Sequence, residues 1–436
     1  MKKISFFIVL ILFGYLVRLF SVDTVEIQYL NQQSQDTLQK VMELSCQLRD
    51  CNPELQMSEK ENDYIVQLRQ SILEMLDDYT IQNSPIEKSI QNFLHKNFLL
   101  DEIEVKNIKD ISGFEGSGHS PDSVFFVYRK SEKPILVVKA FIKAEERNGN
   151  LIPELSAFKF FQNHALSNAE TELPLAVGKC TCQGITYGLL TKNYVPGRMI
   201  KELLSDLYRY PKESKDYRKA LTQAKQVVEL LGCALGELHT LSMQPRVHPP
   251  KFPIKIRGRL NGVIRIGGQK LKEIDIPSLT KYVTEVIDNY IITPFPSGYC
   301  HGDANPRNFL YDEYTGRLTI IDISDFHRSI DLLGHPIGDS ARDIVKFEVG
   351  MKNMQPYGLP KSAYLNLKDT FRKGYLSSAT EFPSPIQLEF YSVSMKLRRL
   401  IRHADYETKS TKEKHDEHKK LFNISLNFFK KKLKRS

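Results

Sequence analysis

The hydrophobic period changes near Ile108 and changes back after Gly197, and that order constrains the fold more than any other feature of the chain. Upstream, "TLQKVMELSCQL" and "YIVQLRQSILEMLDDY" place apolar residues at three- and four-residue intervals. This predicts helices between Val25 and Leu100, as a small cap or a coiled hairpin. From Ile108, "SVFFVYR" and "PILVVKAFI" are short β-branched and aromatic runs, and Lys133-Pro134 between them suits a hairpin turn. "PELSAFKFFQNHAL" then reads as a helix with Pro153 in its first turn. "GITYGLLTKNYVPG" reads as one strand or two, ending on the turn signal Pro196-Gly197. Beyond it the pattern is mostly helical, with Val227, Leu231, Leu235 and Leu238 along one face. "KFPIKIRGRLNGVIRIGGQK" is basic and rich in Gly, and its pattern assigns no element. Strands segregated from helices give an α+β class rather than alternating α/β.

A composition of 41% hydrophobic and 26% charged residues over 436 positions is that of a globular chain. The net charge of +9 is concentrated, because Lys409–Ser436 holds ten Lys or Arg and three Asp or Glu. Such a basic tail could meet an anionic membrane, or be a solvated terminal helix. Elsewhere no stripe of interleaved basic and aromatic residues appears, so no specific nucleic-acid binding is expected. At the N-terminus two Lys precede the apolar run Ile4–Val17, broken by Arg18. This reads as a signal peptide or membrane anchor over residues 1–22, since the run is shorter than the roughly 20 residues of a full span. An exported or anchored protein is the main expectation and a cytoplasmic one the alternative. Of the six cysteines, Cys46 and Cys51 could pair, Cys180 and Cys182 lack a second pair at zinc spacing, and Cys233 and Cys300 read as buried thiols.

The stretch "YCHGDANPRNFLYDEYTGRLTIIDISDF", Tyr299–Phe326, carries the chemistry. Asp303 and Asn308 are separated by a short Pro-containing loop that can aim both side chains at one point. Asp322 is the first polar group after "LTII", and a hairpin around Tyr-Thr-Gly would return it beside that loop. One carboxylate is then placed to accept a proton. An amide oxygen and a second carboxylate form a hard donor set of the kind Mg²⁺ prefers. Phosphoryl transfer needs this division of labour.

These residues resemble the aminoglycoside phosphotransferase and choline kinase superfamily, whose shared pattern of His-Gly-Asp, Asn and Ile-Asp is met by His301, Gly302, Asp303, Asn308, Ile321 and Asp322. The resemblance implies a bilobal protein-kinase-like fold with a small β-rich N-lobe and a larger helical C-lobe, preceded here by an extra helical region. It implies Asp303 as catalytic base, and Asn308 and Asp322 as metal ligands. Lys139 in "LVVKAF" would steady ATP phosphates, paired with Glu154 in the next helix. Gly113, Gly116 and Gly118 would allow close backbone approach to phosphates, and Asn193, Tyr194 and Val195 resemble the hinge that meets adenine. His239 reads as a satisfied structural residue, and Asp339 and Asp343 as loop anchors. Arg307 stands where a small residue is frequent and Asn305 where His is frequent, both facing the acceptor site in the family.

The expected organisation is 1–22 signal or anchor, 23–105 helical region, 106–195 N-lobe, 196–408 C-lobe and 409–436 basic tail. The expected function is an ATP- and Mg²⁺-dependent phosphotransferase acting on a hydroxyl of a small molecule. A catalytically silent nucleotide-binding or scaffolding protein is the alternative. An atypical protein kinase is disfavoured by Gly302 in place of the Arg of His-Arg-Asp.

Overall fold

The structure is a computed structural model and describes residues 32–50, 67, 70–72, 74–98, 100, 102–108, 123–130, 133–142, 151–241, 252–271, 273–329, 336–404 and 412–434. Within them the chain forms two compact units. One takes Met1–Ser45, Asp63–Leu151 and Leu173–Tyr194; the other takes Cys46–Asn62, Ile152–Glu172 and Val195–Ser436. The class is α+β, with an antiparallel sheet in the first unit and a mostly helical second unit.

The first unit contains helix α1 (Gln32–Asp50) as far as Ser45, and α2 (Ile86–Phe98). Its sheet is built from β1 (Ile103–Asn107), β2 (Ser123–Arg129), β3 (Pro134–Ile142), β5 (Pro174–Cys182) and β6 (Ile185–Asn193), in the order β1-β2-β3-β6-β5. Successive strand residues point to opposite faces. Leu136, Val138 and Ala140 of β3 therefore share a face, and they join Phe125, Ala176 and Leu189 under Ile90, Phe93 and Leu94 of α2. α2 is thus a cap on one face of the sheet. Gly178 makes the fit possible, since a Cβ there would meet the Tyr79 ring at 2.6 Å and the Phe93 ring at 3.1 Å.

Two strands were not legible. β1 begins at Ile103, inside the stretch read as helical, because five residues with one buried side chain carry little periodic signal. β5 was hidden behind its cysteines. Its partner signal is the two-residue turn Gln183-Gly184, with φ of 52° and 75°, the left-handed pair that a tight hairpin demands.

The second unit holds α3 (Leu151–Asn163), α4 (Ile200–Arg209), α5 (Lys215–Thr240), α6 (Phe252–Lys270), α7 (Ile276–Ile292), α8 (Ala341–Lys352), α9 (Lys361–Ser378), α10 (Pro385–His403) and α11 (Lys412–Leu433). A small sheet runs β4-β9-β8-β7, from β4 (Glu170–Thr171), β9 (Arg317–Ile320), β8 (Phe309–Asp312) and β7 (Arg198–Met199). The unassigned basic stretch is α6; its Gly262 is a packing residue, because a Cβ there would meet Ile401 Cδ1 at 2.8 Å.

α5 and α9 pack backbone to backbone. A Cβ on Gly232 would meet Phe371 O at 2.3 Å, and one on Gly374 would meet Glu229 O at 2.1 Å. Val227, Leu231, Leu235 and Leu238 are buried as expected, but Cys233 is half-buried and contacts Ser377 Oγ at 3.2 Å. It lies one helical step round from Gly232, away from the closest approach. Gly232→Val should force α5 and α9 apart and cost about 1–3 kcal/mol, read as a lower melting temperature; an unchanged melt would contradict this packing.

Residues 1–22 lie outside the described residues, as do Cys51, Gly113, Gly116 and Gly118. Among the described residues no helix is long and apolar enough to cross a membrane. Most of the basic tail, Lys412–Leu433, forms α11, which packs on the helices of the second unit. α11 buries Phe422, Leu426 and Phe429 in the core shared with α6, α7 and α10, and Lys432 pairs with Glu389. Its apolar side is therefore used within the protein.

Candidate active site

The segment 301–308 is shaped by what its backbone bonds to. Gly302 has φ of 85°, and a Cβ there would meet Asp325 O at 2.5 Å, so only glycine fits between His301 and Asp303. Asp343, in the first turn of α8, accepts from His301 N at 2.6 Å and from Gly302 N at 2.9 Å. Its Oδ2 also accepts from His239 Nε2 at 3.2 Å, and His239 Nδ1 then accepts from Tyr375 Oη at 3.0 Å. Burial alone would raise the Asp343 carboxyl, but the His239 bond and the nearby His239, His301 and Arg342 charges hold it at about 2. Asp343 is thus an ionised, fully buried clamp on the loop. Asp339 is a second anchor, accepting from Ala341 N and Gln387 Nε2 at 2.9 Å and from Tyr290 Oη at 2.8 Å.

His301 is also a strut. Its Nε2 donates to Ile321 O at 3.2 Å, and its Nδ1 accepts from Asp303 N at 3.1 Å. Asn308 donates Nδ2 to Asp303 O at 2.9 Å, which leaves its Oδ1 as the group able to meet a cation. Asn308 O accepts from Ile321 N at 3.0 Å, and Phe309 pairs with Ile320 across the β8–β9 hairpin. The hairpin turns on Asp312, whose carboxylate accepts from Tyr314 N and from Thr315 Oγ1, with Gly316 at φ 70°. Asp322 is therefore returned to the side of Asn308. Its own φ is 56°, a left-handed conformation that costs a non-glycine residue of order 1 kcal/mol or more. Strain of this kind persists where surrounding structure fixes a side chain for use.

Asp303 is half-buried and forms an ion pair with Lys346 of α8, whose Nζ also reaches Gly302 O at 3.5 Å. Burial lowers the Lys346 ammonium from its ordinary range, while Asp303 pulls it back up. Arg342, one turn earlier, pairs with Asp325 at 3.4 Å. Asp343 holds the loop as the sequence reading expected of it, whereas Lys346 was not read as touching the loop: its partner is some forty positions away, and nothing local marks it.

The remaining expected residues fall in both units. Lys139 is a half-buried residue of β3 on the face opposite α2, with Nζ 6.0 Å from the Phe141 ring centre. Glu154 is fully buried in the first turn of α3. α3 packs through Phe160 on Tyr299 (4.4 Å) and Phe326 (4.5 Å), which flank the stretch from His301 to Asp322. Asn193 bonds Leu173 twice, its N to Leu173 O at 3.2 Å and its Oδ1 to Leu173 N at 2.7 Å. Tyr194 N donates to Ile135 O at 3.3 Å. Two of the three hinge amides are thus committed, and Val195 opens the second unit.

Among the described residues one three-donor group, His239, Cys300 and Asp343, lies close enough for a metal. Both His239 nitrogens and both Asp343 oxygens already have partners, and burial drives the Cys300 thiol well up. The group is a structural knot.

Residues 117–328 match the model of the phosphotransferase enzyme family, APH. No curated protein matches the sequence. Among solved structures, a glucosamine kinase is 13% identical with a TM-score of 0.50, covering 79% of this chain and 87% of that one. A glucosamine kinase in complex with glucosamine, ADP and inorganic phosphate gives 14% and 0.48, over 76% and 84%. A Plasmodium vivax ethanolamine kinase gives 11% and 0.47, over 86% and 96%. At 13% identity the likeness to the first of these is one of fold. The family match and the fold together support a phosphotransferase.

Proposed function

We propose that this chain, matched to the phosphotransferase family over residues 117–328, moves the γ-phosphate of ATP to a hydroxyl of a small-molecule acceptor. The observation that carries the reading is the junction of Asn308 with Ile321. It joins the residue before a strained Asp322 to Asn308, whose side-chain nitrogen bonds Asp303 O, so the donors offered are the Asn308 Oδ1 and the Asp322 carboxylate. Those donors suit Mg²⁺, which takes hard oxygen ligands and would neutralise charge on the phosphates when bound. Asp303 accepts the proton of the acceptor hydroxyl and orients it for attack. Lys346 holds that carboxylate in place. Lys139 steadies the phosphates as a point charge. Adenine meets Val195 N or the carbonyls of Asn193 and Tyr194, since the Asn193 and Tyr194 amides are committed.

A catalytically silent nucleotide-binding or scaffolding protein is the second reading, and the Asp303–Lys346 ion pair favours it, because the ammonium occupies the carboxylate that would meet the acceptor hydroxyl. Acceptor-dependent ADP release separates the two. The proposal expects release that requires Mg²⁺ and falls at least about a hundredfold in Asp322→Ala. Tight ATP binding with no release on any alcohol would favour the silent protein.

A further inference from the structure

Arg307 sits in the turn that carries Asn308, four positions from Asp303 in the chain, and is half-buried. The helices around that turn bring more cations. α8 lies against it closely enough that a Cβ on Gly350 would meet Pro306 Cδ at 2.5 Å, and α8 carries Arg342 and Lys346. α10 shares a core with α6 and α8 and exposes Arg398 and Arg402, one turn apart. Arg259 of α6 donates to Ser394 O of α10 at 3.2 Å. These charges feel one another. Burial first, then Arg398 and Arg342, push Arg259 down to about 10. Burial first, then Arg398 and Arg307, lower Arg402.

Among the described residues, four carboxylates of this region are committed: Asp303 to Lys346, Asp325 to Arg342, and Asp339 and Asp343 to buried anchors. Among the described residues none of Arg307, Arg398 and Arg402 has an ion-pair partner. A solvated basic helix face would account for Arg398 and Arg402 alone, but like charges one turn apart weaken a helix. It would not account for a third guanidinium arriving from the catalytic turn. A cationic acceptor such as an amine would be repelled here. A planar guanidinium fork matches the oxygens of a phosphate or a carboxylate.

We infer that the acceptor is an alcohol that also carries an anionic group, a phosphate or a carboxylate, held by Arg307, Arg398 and Arg402 while Asp303 meets the hydroxyl. This rests on the phosphotransfer reading above.

The test uses the full chain with its nucleotide site filled by Mg²⁺ and a non-hydrolysable ATP analogue. Calorimetry then compares sn-glycerol 3-phosphate and glucose 6-phosphate, glycerate and gluconate, neutral glycerol and glucose, and cationic choline and glucosamine. The expected result is binding of phosphorylated or carboxylated alcohols only, and which of the two identifies the anion. Arg398→Gln with Arg402→Gln should weaken it roughly tenfold or more, with an unchanged melting temperature because both side chains are exposed. Arg307→Gln should do the same. Preferential binding of choline or glucosamine, no anionic binder, or variants that bind like wild type would each overturn the inference. Turnover of the same alcohols with ATP keeps the claims apart. Anion binding without turnover overturns the phosphotransfer reading and leaves the anion site standing. Turnover of neutral or cationic alcohols without anion binding overturns only the anionic acceptor.

Discussion

Asp303→Asn will remove acceptor-dependent phosphoryl transfer by about 10²–10⁴-fold, while the chain still folds and still binds ATP. The amide is nearly isosteric and cannot take the proton of an attacking hydroxyl. The backbone of residue 303 keeps its bonds, the amide to His301 Nδ1 and the carbonyl to Asn308 Nδ2, so the loop and the Asn308 side chain stay in place. Lys346 loses its charged partner but remains within reach of Gly302 O. The loss therefore falls on the turnover number and not on ATP affinity. Steady-state kinetics with a circular-dichroism melt checks both halves. A variant turning over at the wild-type rate would remove Asp303 from the chemistry.

Asp343→Ala is expected to have the largest effect on stability. It takes one carboxylate from three donors at once, His301 N, Gly302 N and His239 Nε2, all buried. Breaking such a buried charged network costs about 3–5 kcal/mol, which for a chain of this size lowers the melting temperature by several degrees or prevents folding. The pH dependence has a definite sign. The folded carboxyl is held at about 2, below the ordinary carboxylate value, so its contribution is full above that ordinary value. It is lost as pH falls from about 4 toward 2. Denaturant melts of wild type and of the milder Asp343→Asn should converge over that range. A constant gap down to acid pH would mean that another group carries the clamp.

How much of this was legible in the sequence follows from the range of the interactions. The α+β division and the β8–β9 hairpin are local, written in period, turn residues and the Tyr-Thr-Gly corner, and they were readable. The polar pattern of His301, Asp303, Asn308 and Asp322 was readable because its members share one short loop and hairpin. The glycines were harder. Gly178, Gly232, Gly262 and Gly374 each admit a neighbour from a distant segment, and the chain does not say which. The same holds for Lys346 and the α10 arginines, whose meaning is set by where α8 and α10 pack, whereas Asp343 was readable as a loop anchor. Residues 409–436 read as a charged tail because their ten basic residues mask the three apolar ones that α11 buries.

The most direct measurement follows phosphorus. ³¹P NMR of the full-length protein with ATP, Mg²⁺ and the panel of alcohols should show the γ-phosphate resonance replaced by an equal phosphomonoester signal. Consumption of ATP to inorganic phosphate alone, or ATP left intact with every alcohol, would contradict the account.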